Sequence, residues 1–178
     1  MNILVAYFTQ FVNRSGGMEH VCCQLANAMA ERGHQVNIAY CSPVDGSPFY
    51  VLHPHVGLYN IYPARMKDMG KHHAYMPLWA KLAREGIRPF SRMTVRKWNF
   101  MWRHKILHQS LMPVLAACQP DIILSFEPDT TSTYMYNADS LPPVITMFRF
   151  NPEFILKRML PAEKQFLSQS CCIQVLLP

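Results

Sequence analysis

The hydrophobic residues fall in short continuous runs, and amphipathic stretches separate these runs along the chain. The runs predict buried β-strands over residues 2–8, 35–40, 49–52, 121–126, 143–148 and 172–177. Between them, apolar residues at helical spacing predict helices over residues 18–32, 77–85, 94–109, 129–137 and 162–168. Apolar strands that alternate with helices are typical of a parallel sheet covered on both faces. We therefore expect an α/β fold, a Rossmann-like parallel sheet with helices on both faces.

The first forty residues predict a strand, a loop ending in Gly16-Gly17, a helix and a second strand. Such a loop places free backbone N–H groups and the positive end of a helix dipole at the carboxyl edge of a parallel sheet. We predict that Ser15, Gly16 and Gly17 bind phosphate there and that one of them caps the helix. Glycine also allows close approach of a ligand and positive φ. The alternative is a turn that only joins the strand to the helix.

Turn and cap residues predict where several helices begin and end. Gly86 should end the helix over residues 77–85, and Pro113 should kink or break the longest helix near Ser110 before it resumes to Cys118. Asn151 followed by proline predicts another helix start. In the first helix, the predicted sheet-facing residues are Val21, Leu25, Ala28 and Met29.

The composition indicates one globular domain with its own core. The chain has 178 residues, half of them hydrophobic, without an apolar run long enough to span a membrane and without a basic leader at its start. We expect a cytoplasmic protein. The six cysteines lack zinc-binding spacing and predict buried reduced thiols, and the paired histidines at residues 53–55 and 72–73 predict solvated loops. We expect neither a metal nor a cofactor.

Positive charge is concentrated in one part of the chain. Residues 63–108 contain eleven Lys or Arg and two acidic residues, a net charge of +9, whereas the rest of the chain carries −3. All three tryptophans lie in the same segment, at Trp79, Trp98 and Trp102. Three interpretations remain open: an acceptor site for a phosphorylated lipid or anionic glycan, contact with an anionic inner membrane leaflet, or an exposed basic face whose tryptophans pack on the sheet. Without a recognisable nucleic-acid module, we do not expect nucleic acid binding.

Candidate polar residues follow the predicted strands at their carboxyl ends, where open parallel sheets bind ligands. Glu127 is the catalytic candidate, as a base for an acceptor hydroxyl or a partner of sugar hydroxyls. Asp129 is a candidate for substrate binding, with helix capping and complementarity to the helix dipole as the alternative. Arg149 is a candidate for phosphate binding, with a salt bridge to Glu127 or Glu153 as the alternative.

These motifs together carry a family resemblance. The opening strand, the Gly16-Gly17 loop and the turn Gly33-His34-Gln35-Val36 resemble the start of GT-B glycosyltransferases, in particular the large retaining family that includes many bacterial sugar transferases of cell-envelope assembly. The stretches at residues 119–126, 143–148 and 162–178 are similar to later parts of the same N-terminal domain. The family often has a histidine after the strand that corresponds to residues 143–148, whereas this chain has Phe148-Arg149-Phe150.

The resemblance implies one acceptor-side N-terminal domain over residues 1–178, with a basic, aromatic-rich helical insertion at about residues 54–110. It implies transfer of a sugar from a nucleotide-sugar donor to a glycan, lipid or other cell-envelope acceptor. The donor-binding C-terminal domain is expected to lie outside this chain, which would be inactive alone. The protein would be cytoplasmic, with peripheral contact at the inner face of the membrane as an option. The alternative is a flavodoxin-like module that binds flavin or a nucleotide, because residues 1–10 also resemble the flavodoxin opening strand.

Overall fold

The computed structural model describes residues 1–63, 76–136, 142–148 and 152–175. Their strands form one parallel sheet: β1 (Asn2–Tyr7), β2 (Gln35–Tyr40), β3 (Gly57–Asn60), β4 (Ile122–Ser125), β5 (Val144–Phe148) and β6 (Cys172–Val175). The strand order is β3-β2-β1-β4-β5-β6. This is the doubly wound Rossmann order, in which the chain reverses direction across the sheet between β1 and β4. A flavodoxin has the order 2-1-3-4-5, so the flavodoxin-like alternative is wrong in its topology.

Helices cover both faces of the sheet, as predicted. They are α1 (Gly17–Glu31), α2 (Leu78–Ile87), α3 (Arg92–Cys118), α4 (Pro128–Met135), α5 (Pro152–Arg158) and α6 (Pro161–Ser168). Alternate residues of β1 enter two separate cores. Ile3, Val5 and Tyr7 pack with Cys22, Cys23 and Ala26 of α1, whereas Leu4 and Ala6 pack with α3 and α4. The α/β class is therefore confirmed.

The third strand lies later in the chain than the sequence pattern indicated. Residues 49–52 do not form a strand, and Phe49 and Val51 are exposed. Instead Gly57–Asn60 pairs with β2, and the side chain of Asn60 accepts from the Ser42 N–H at 3.1 Å. A four-residue edge strand of mixed composition has no hydrophobic periodicity. The sequence pattern therefore does not predict it, and only its pairing with β2 identifies it as a strand.

Helix α3 is continuous from Arg92 to Cys118, so the predicted break near Ser110 is wrong. Pro113 lies on the exposed side of the helix, and the buried stripe of Leu107, Leu111 and Val114 continues past it. Burial of this stripe against the sheet outweighs the hydrogen bond that proline cannot donate. Gly86 likewise does not end its helix, because α2 runs on to Ile87.

The buried stripe of α1 matches the predicted one only in part, since the predicted Leu25 and Met29 are half-buried and pack against the core. Glu19, Cys22, Cys23 and Ala26 are buried at helical spacing, whereas Val21 is exposed. The stripe begins with a charged residue, so a search for apolar residues misses its register. The thiols of Cys171 and Cys172 are also exposed rather than buried, because β6 is an edge strand.

The length of α3 brings part of it beyond the sheet. Twenty-seven residues span about 40 Å of helix, whereas a six-residue strand spans about 20 Å. The helix ends at Cys118, just before β4, and therefore runs antiparallel to the strands. Its first half must project past the carboxyl edge, and Arg103 accordingly contacts Asp129 at the start of α4. Among the described residues, no helix combines the length and the apolar character needed to cross a membrane.

Candidate functional site

The carboxyl ends of β1 and β4 meet at the switch point of the sheet, where ligands bind in doubly wound folds. After β1, the loop is held by hydrogen bonds from the Phe11 N–H to Ser42 Oγ at 2.9 Å and from the Asn13 N–H to the Ser47 carbonyl at 3.0 Å. The next residues of this loop, Ser15 and Gly16, and the first helical residue Gly17 are exposed. The three residues predicted to bind phosphate are therefore accessible at this edge.

The glycine pair does not use positive φ. Gly16 is the N-cap of α1 with extended backbone (φ −74°), no side chain caps the helix, and Gly33 supplies the positive φ at the other end. The buried carboxylate of Glu19 folds back against Gly16, where a Cβ atom would collide with it, whereas a Cβ on Gly17 would meet open space. Gly16 thus lies directly against the flexible end of the Glu19 side chain, and Gly17 leaves room for a ligand.

Tyr7, the last residue of β1, contacts the first turn of α1 at the switch point. Its buried phenol donates a hydrogen bond to Glu19 Oε1 at 3.2 Å. Burial raises the pKa of Tyr7 to about 12, and the negative charges of Glu19 and Glu127 add to this shift. The phenol therefore stays protonated at physiological pH and remains a hydrogen-bond donor between two carboxylates.

Glu127, the predicted catalytic residue, lies at the N-cap of α4. Its backbone is extended, and its side chain does not cap the helix. It is half-buried at the rim of the sheet, close enough to Tyr7 to influence that pKa. The carboxylate therefore lies at the switch point without serving as a helix cap.

Asp129 pairs with two residues of α3 instead of capping α4. Arg103 donates to Asp129 Oδ2 at 2.8 Å, and His104 Nε2 lies 3.5 Å from Oδ1. Burial acts to raise the pKa of Asp129, but His104 and Arg103 outweigh it and lower the pKa below its ordinary value. Asp129 therefore does not cap the helix, but it does lie in the first turn of α4, where its charge complements the helix dipole. Its carboxylate also orients a cation at the carboxyl edge.

A network of buried hydroxyls holds α4 in place. Thr131 Oγ1 lies 2.8 Å from both Ser125 Oγ and Thr146 Oγ1. Thr133 Oγ1 lies 2.7 Å from Nδ1 of the fully buried His104. Each of these serine and threonine hydroxyls has a partner, which allows their burial. The buried hydroxyl of Tyr134 in the same helix has no hydrogen-bond partner among the described residues. The network positions Glu127 and Asp129 through the backbone of α4.

Cys41, which follows β2 at the same edge, is not suited to nucleophilic chemistry. Burial raises the pKa of its thiol to about 12; the positive charge of Arg103 opposes this shift, and the negative charge of Asp129 adds to it. The thiolate is the reactive form of cysteine. A protonated thiol at this depth acts as a small apolar side chain.

The structure thus brings five of the six predicted site residues to one edge of the sheet. These are Ser15, Gly16, Gly17, Glu127 and Asp129, whereas Arg149 lies outside the described residues. The sequence-based interpretation missed Tyr7, Glu19, Arg103 and His104. A charged residue within the buried stripe of α1 was the available signal for Glu19. No signal in the sequence indicated Arg103 or His104, because both are remote in sequence from their partner Asp129.

We expect Asp129→Asn to lower the free energy of unfolding at neutral pH and to have a smaller effect at low pH. The folded-state pKa of Asp129 is lowered, so its carboxylate stabilises the fold above the unfolded-state pKa of about 4. This contribution is lost as the pH falls through the folded-state pKa. Urea unfolding of both proteins between about pH 7 and pH 3 should show a difference in unfolding free energy that shrinks below about pH 4. A difference that is the same at every pH would contradict this assignment.

The chain has the α/β fold that is found in GT-B glycosyltransferases. Sucrose-phosphate synthase from Thermosynechococcus elongatus superposes with a TM-score of 0.59 and 11% identity over 97% of this chain and 42% of that chain. The structure of TcCGT1 in complex with UDP superposes with a TM-score of 0.50 and 12% identity over 89% of this chain and 32% of that chain. The chain therefore spans less than half the length of these two proteins.

These similarities are structural. A scan of protein-family models found no match, and a search of curated protein sequences found none either. At 11–12% identity, the superpositions show a common fold. The fold resemblance drawn from the Gly16-Gly17 loop and the Gly33-His34 turn is thereby confirmed.

Proposed function

We propose that this chain is the acceptor-side lobe of a glycosyltransferase. It would help to transfer a sugar from a nucleotide-sugar donor to a glycan, lipid or other cell-envelope acceptor. The observation that carries the proposal is the switch point, where the accessible Gly16-Gly17 loop lies at the same sheet edge as the carboxylate of Glu127. The structural neighbours support it, since one is a sucrose-phosphate synthase and the other was solved with UDP.

In the proposed reaction, an acceptor hydroxyl attacks the anomeric carbon of the donor sugar. The bond from that carbon to the nucleoside diphosphate breaks, and the diphosphate leaves with its electron pair. Glu127 takes the proton of the acceptor hydroxyl. Arg103, oriented by Asp129 at 2.8 Å, provides positive charge at the same edge for an anionic part of donor or acceptor.

The donor is proposed to bind mainly to a second lobe outside these 178 residues. Ser15, Gly16 and Gly17 would contact its phosphates from this side, through backbone N–H groups at the start of α1. Arg149 is proposed to assist them. Closure of two lobes excludes water from the reacting atoms, so we propose that this lobe alone does not transfer sugar.

Enzyme assays with a panel of nucleotide sugars test the proposal. We expect the isolated chain to give no product, whereas a protein that carries it together with a donor lobe should transfer a hexose to an envelope acceptor, detected by mass spectrometry. The absence of both transfer and donor hydrolysis across a broad panel, with a protein shown to be folded, would contradict the proposed function.

We expect Glu19→Gln to strengthen phosphate binding at the Gly16-Gly17 loop. The Glu19 carboxylate lies beside the N-terminus of α1 and opposes a second anion there, whereas glutamine keeps the hydrogen bond from Tyr7. Removal of one charge at a helix terminus corresponds to a gain of up to about fivefold in affinity.

Calorimetric titration with a nucleoside diphosphate measures this effect. Glu31→Gln is the matched control, because Glu31 is an exposed carboxylate at the opposite end of the same helix. Equal affinities of the wild-type protein and the Glu19→Gln variant would argue against phosphate binding at this loop.

A further inference from the structure

Helix α2 has its larger apolar side chains on the outside. Leu78, Trp79 and Leu82 are 74%, 62% and 65% exposed, respectively, whereas Ala80 is fully buried and Ala83 is half-buried. The three exposed residues are spaced i, i+1 and i+4, so they lie on one side of the helix. We call them the α2 apolar face. A helix that packs alanines inward and exposes leucine and tryptophan presents a surface suited to an apolar environment.

Positive charge is concentrated in α2 and α3, the helix that carries this face and the one that follows it. Residues 76–108 contain eight Lys or Arg and one acidic residue, Glu85, which gives a net charge of +7. Arg84 and Arg88 pair with Glu85, and Arg96 and Arg103 pair with acids outside the two helices. Throughout the described residues, no ion pair is found for Lys81, Arg92, Lys97 or Lys105. The excess charge is therefore available to an external anion.

The α2 apolar face contacts the projecting half of α3. The Trp79 ring meets the Trp102 ring edge-on with centroids 5.9 Å apart, and Lys105 Nζ lies 5.4 Å from the Trp102 centroid. The turn between α2 and α3 forms an open hollow of about 460 Å³, whose lining includes Arg88, Arg92, the almost fully exposed Phe90 and Glu85, the ion-pair partner of Arg88. Apolar and cationic side chains thus occur together along α2 and at its following turn.

We propose that the α2 apolar face docks on an anionic lipid surface. The apolar side chains enter the boundary between headgroups and acyl chains, and Lys and Arg residues of α2 and α3 contact lipid phosphates. Tryptophan and lysine together are typical of such interfacial helices. The charge complementarity selects an anionic membrane over a neutral apolar partner. The docking proposal rests on the proposed function and extends it, because it places the acceptor at the membrane surface. Binding to the membrane itself requires no sugar donor.

Sedimentation with vesicles tests the proposal on the chain alone. We expect it to bind vesicles containing phosphatidylglycerol and to bind pure phosphatidylcholine much more weakly, with the binding reduced by salt. Leu78→Ser with Leu82→Ser should weaken binding about tenfold or more. Lys81→Gln and Lys97→Gln should each weaken it about fivefold. Tryptophan emission should shift to the blue on binding, and Trp79→Phe should reduce that shift.

Val51→Ser is the matched control, because Val51 is an exposed apolar residue outside the α2 apolar face. It should bind vesicles like the wild-type protein, and circular dichroism verifies that each variant is folded. Equal binding to both vesicle types, or unchanged binding of the double leucine variant, would overturn the proposal. So would concentration-dependent dimerisation that the double leucine variant abolishes, since the face would then belong to a second copy. A transferase that is active but does not bind vesicles would overturn the docking proposal alone, and the proposed function would be unaffected.

Discussion

Replacement of Glu127 by glutamine is expected to lower the kcat of sugar transfer by about 100- to 10,000-fold in a protein that carries this lobe and a donor lobe. Glutamine keeps the size of the side chain and its ability to bind hydroxyl groups, but it cannot accept a proton from the acceptor. The loss should therefore appear in kcat, with little change in the KM for the acceptor. The measurement is steady-state kinetics at several pH values.

The pH profile distinguishes proton transfer from a structural role. In the wild-type enzyme, kcat should fall at low pH as Glu127 becomes protonated, and Glu127→Gln should lose that limb of the profile. Glu31→Gln is a suitable control, since Glu31 is exposed at the far end of α1. A Glu127→Gln variant that keeps wild-type kcat would remove Glu127 from the proposed mechanism.

Leu111→Ala is expected to reduce the free energy of unfolding by about 2–5 kcal/mol. Leu111 is fully buried in the core between α3 and the sheet, together with Leu107 and Val114. Truncation removes apolar contacts and leaves a cavity that a packed helix cannot close. The buried side chains of α3 also hold the half of the helix that carries Arg103, so transfer activity should fall as well. Urea or thermal unfolding of the chain measures the loss of stability.

Met112→Ala is the control in the adjacent position. Met112 is 49% exposed on the other side of α3, and its truncation should change the unfolding free energy by less than about 0.5 kcal/mol. Similar losses in both variants would show that the effect does not come from core packing, and helix propensity could not explain them because alanine has the highest helix propensity. A Leu111→Ala variant with wild-type stability would contradict the described contact between α3 and the sheet.

Much of the fold follows from local patterns. The apolar runs located β1, β2, β4 and β5 because central parallel strands are buried on both faces and need hydrophobic residues at nearly every position. The start of α1 after Gly16 and the turn at Gly33 were also predictable, since backbone chemistry determines them. The edge strand Gly57–Asn60 was not, because its position depends on β2.

The candidate site was only partly predictable for the same reason. Glu127 and the glycine loop directly follow or precede predicted elements, so their place at the carboxyl edge follows from topology. The role of Asp129 depends on Arg103, which lies 26 positions earlier in the chain and reaches Asp129 only because α3 runs unbroken past Pro113. Burial of Glu19 likewise requires the phenol of Tyr7 at the right distance.

The sequence by itself determined the alternation of strands and helices, the glycine loop at the start of α1 and the concentration of positive charge between residues 63 and 108. These features depend on neighbouring residues and on composition. Only the tertiary structure decided the strand order, the pairing of Asp129 with Arg103 and the exposure of Leu78, Trp79 and Leu82. Each of these depends on which distant segments pack together, and the free energy of that packing is a property of the whole chain.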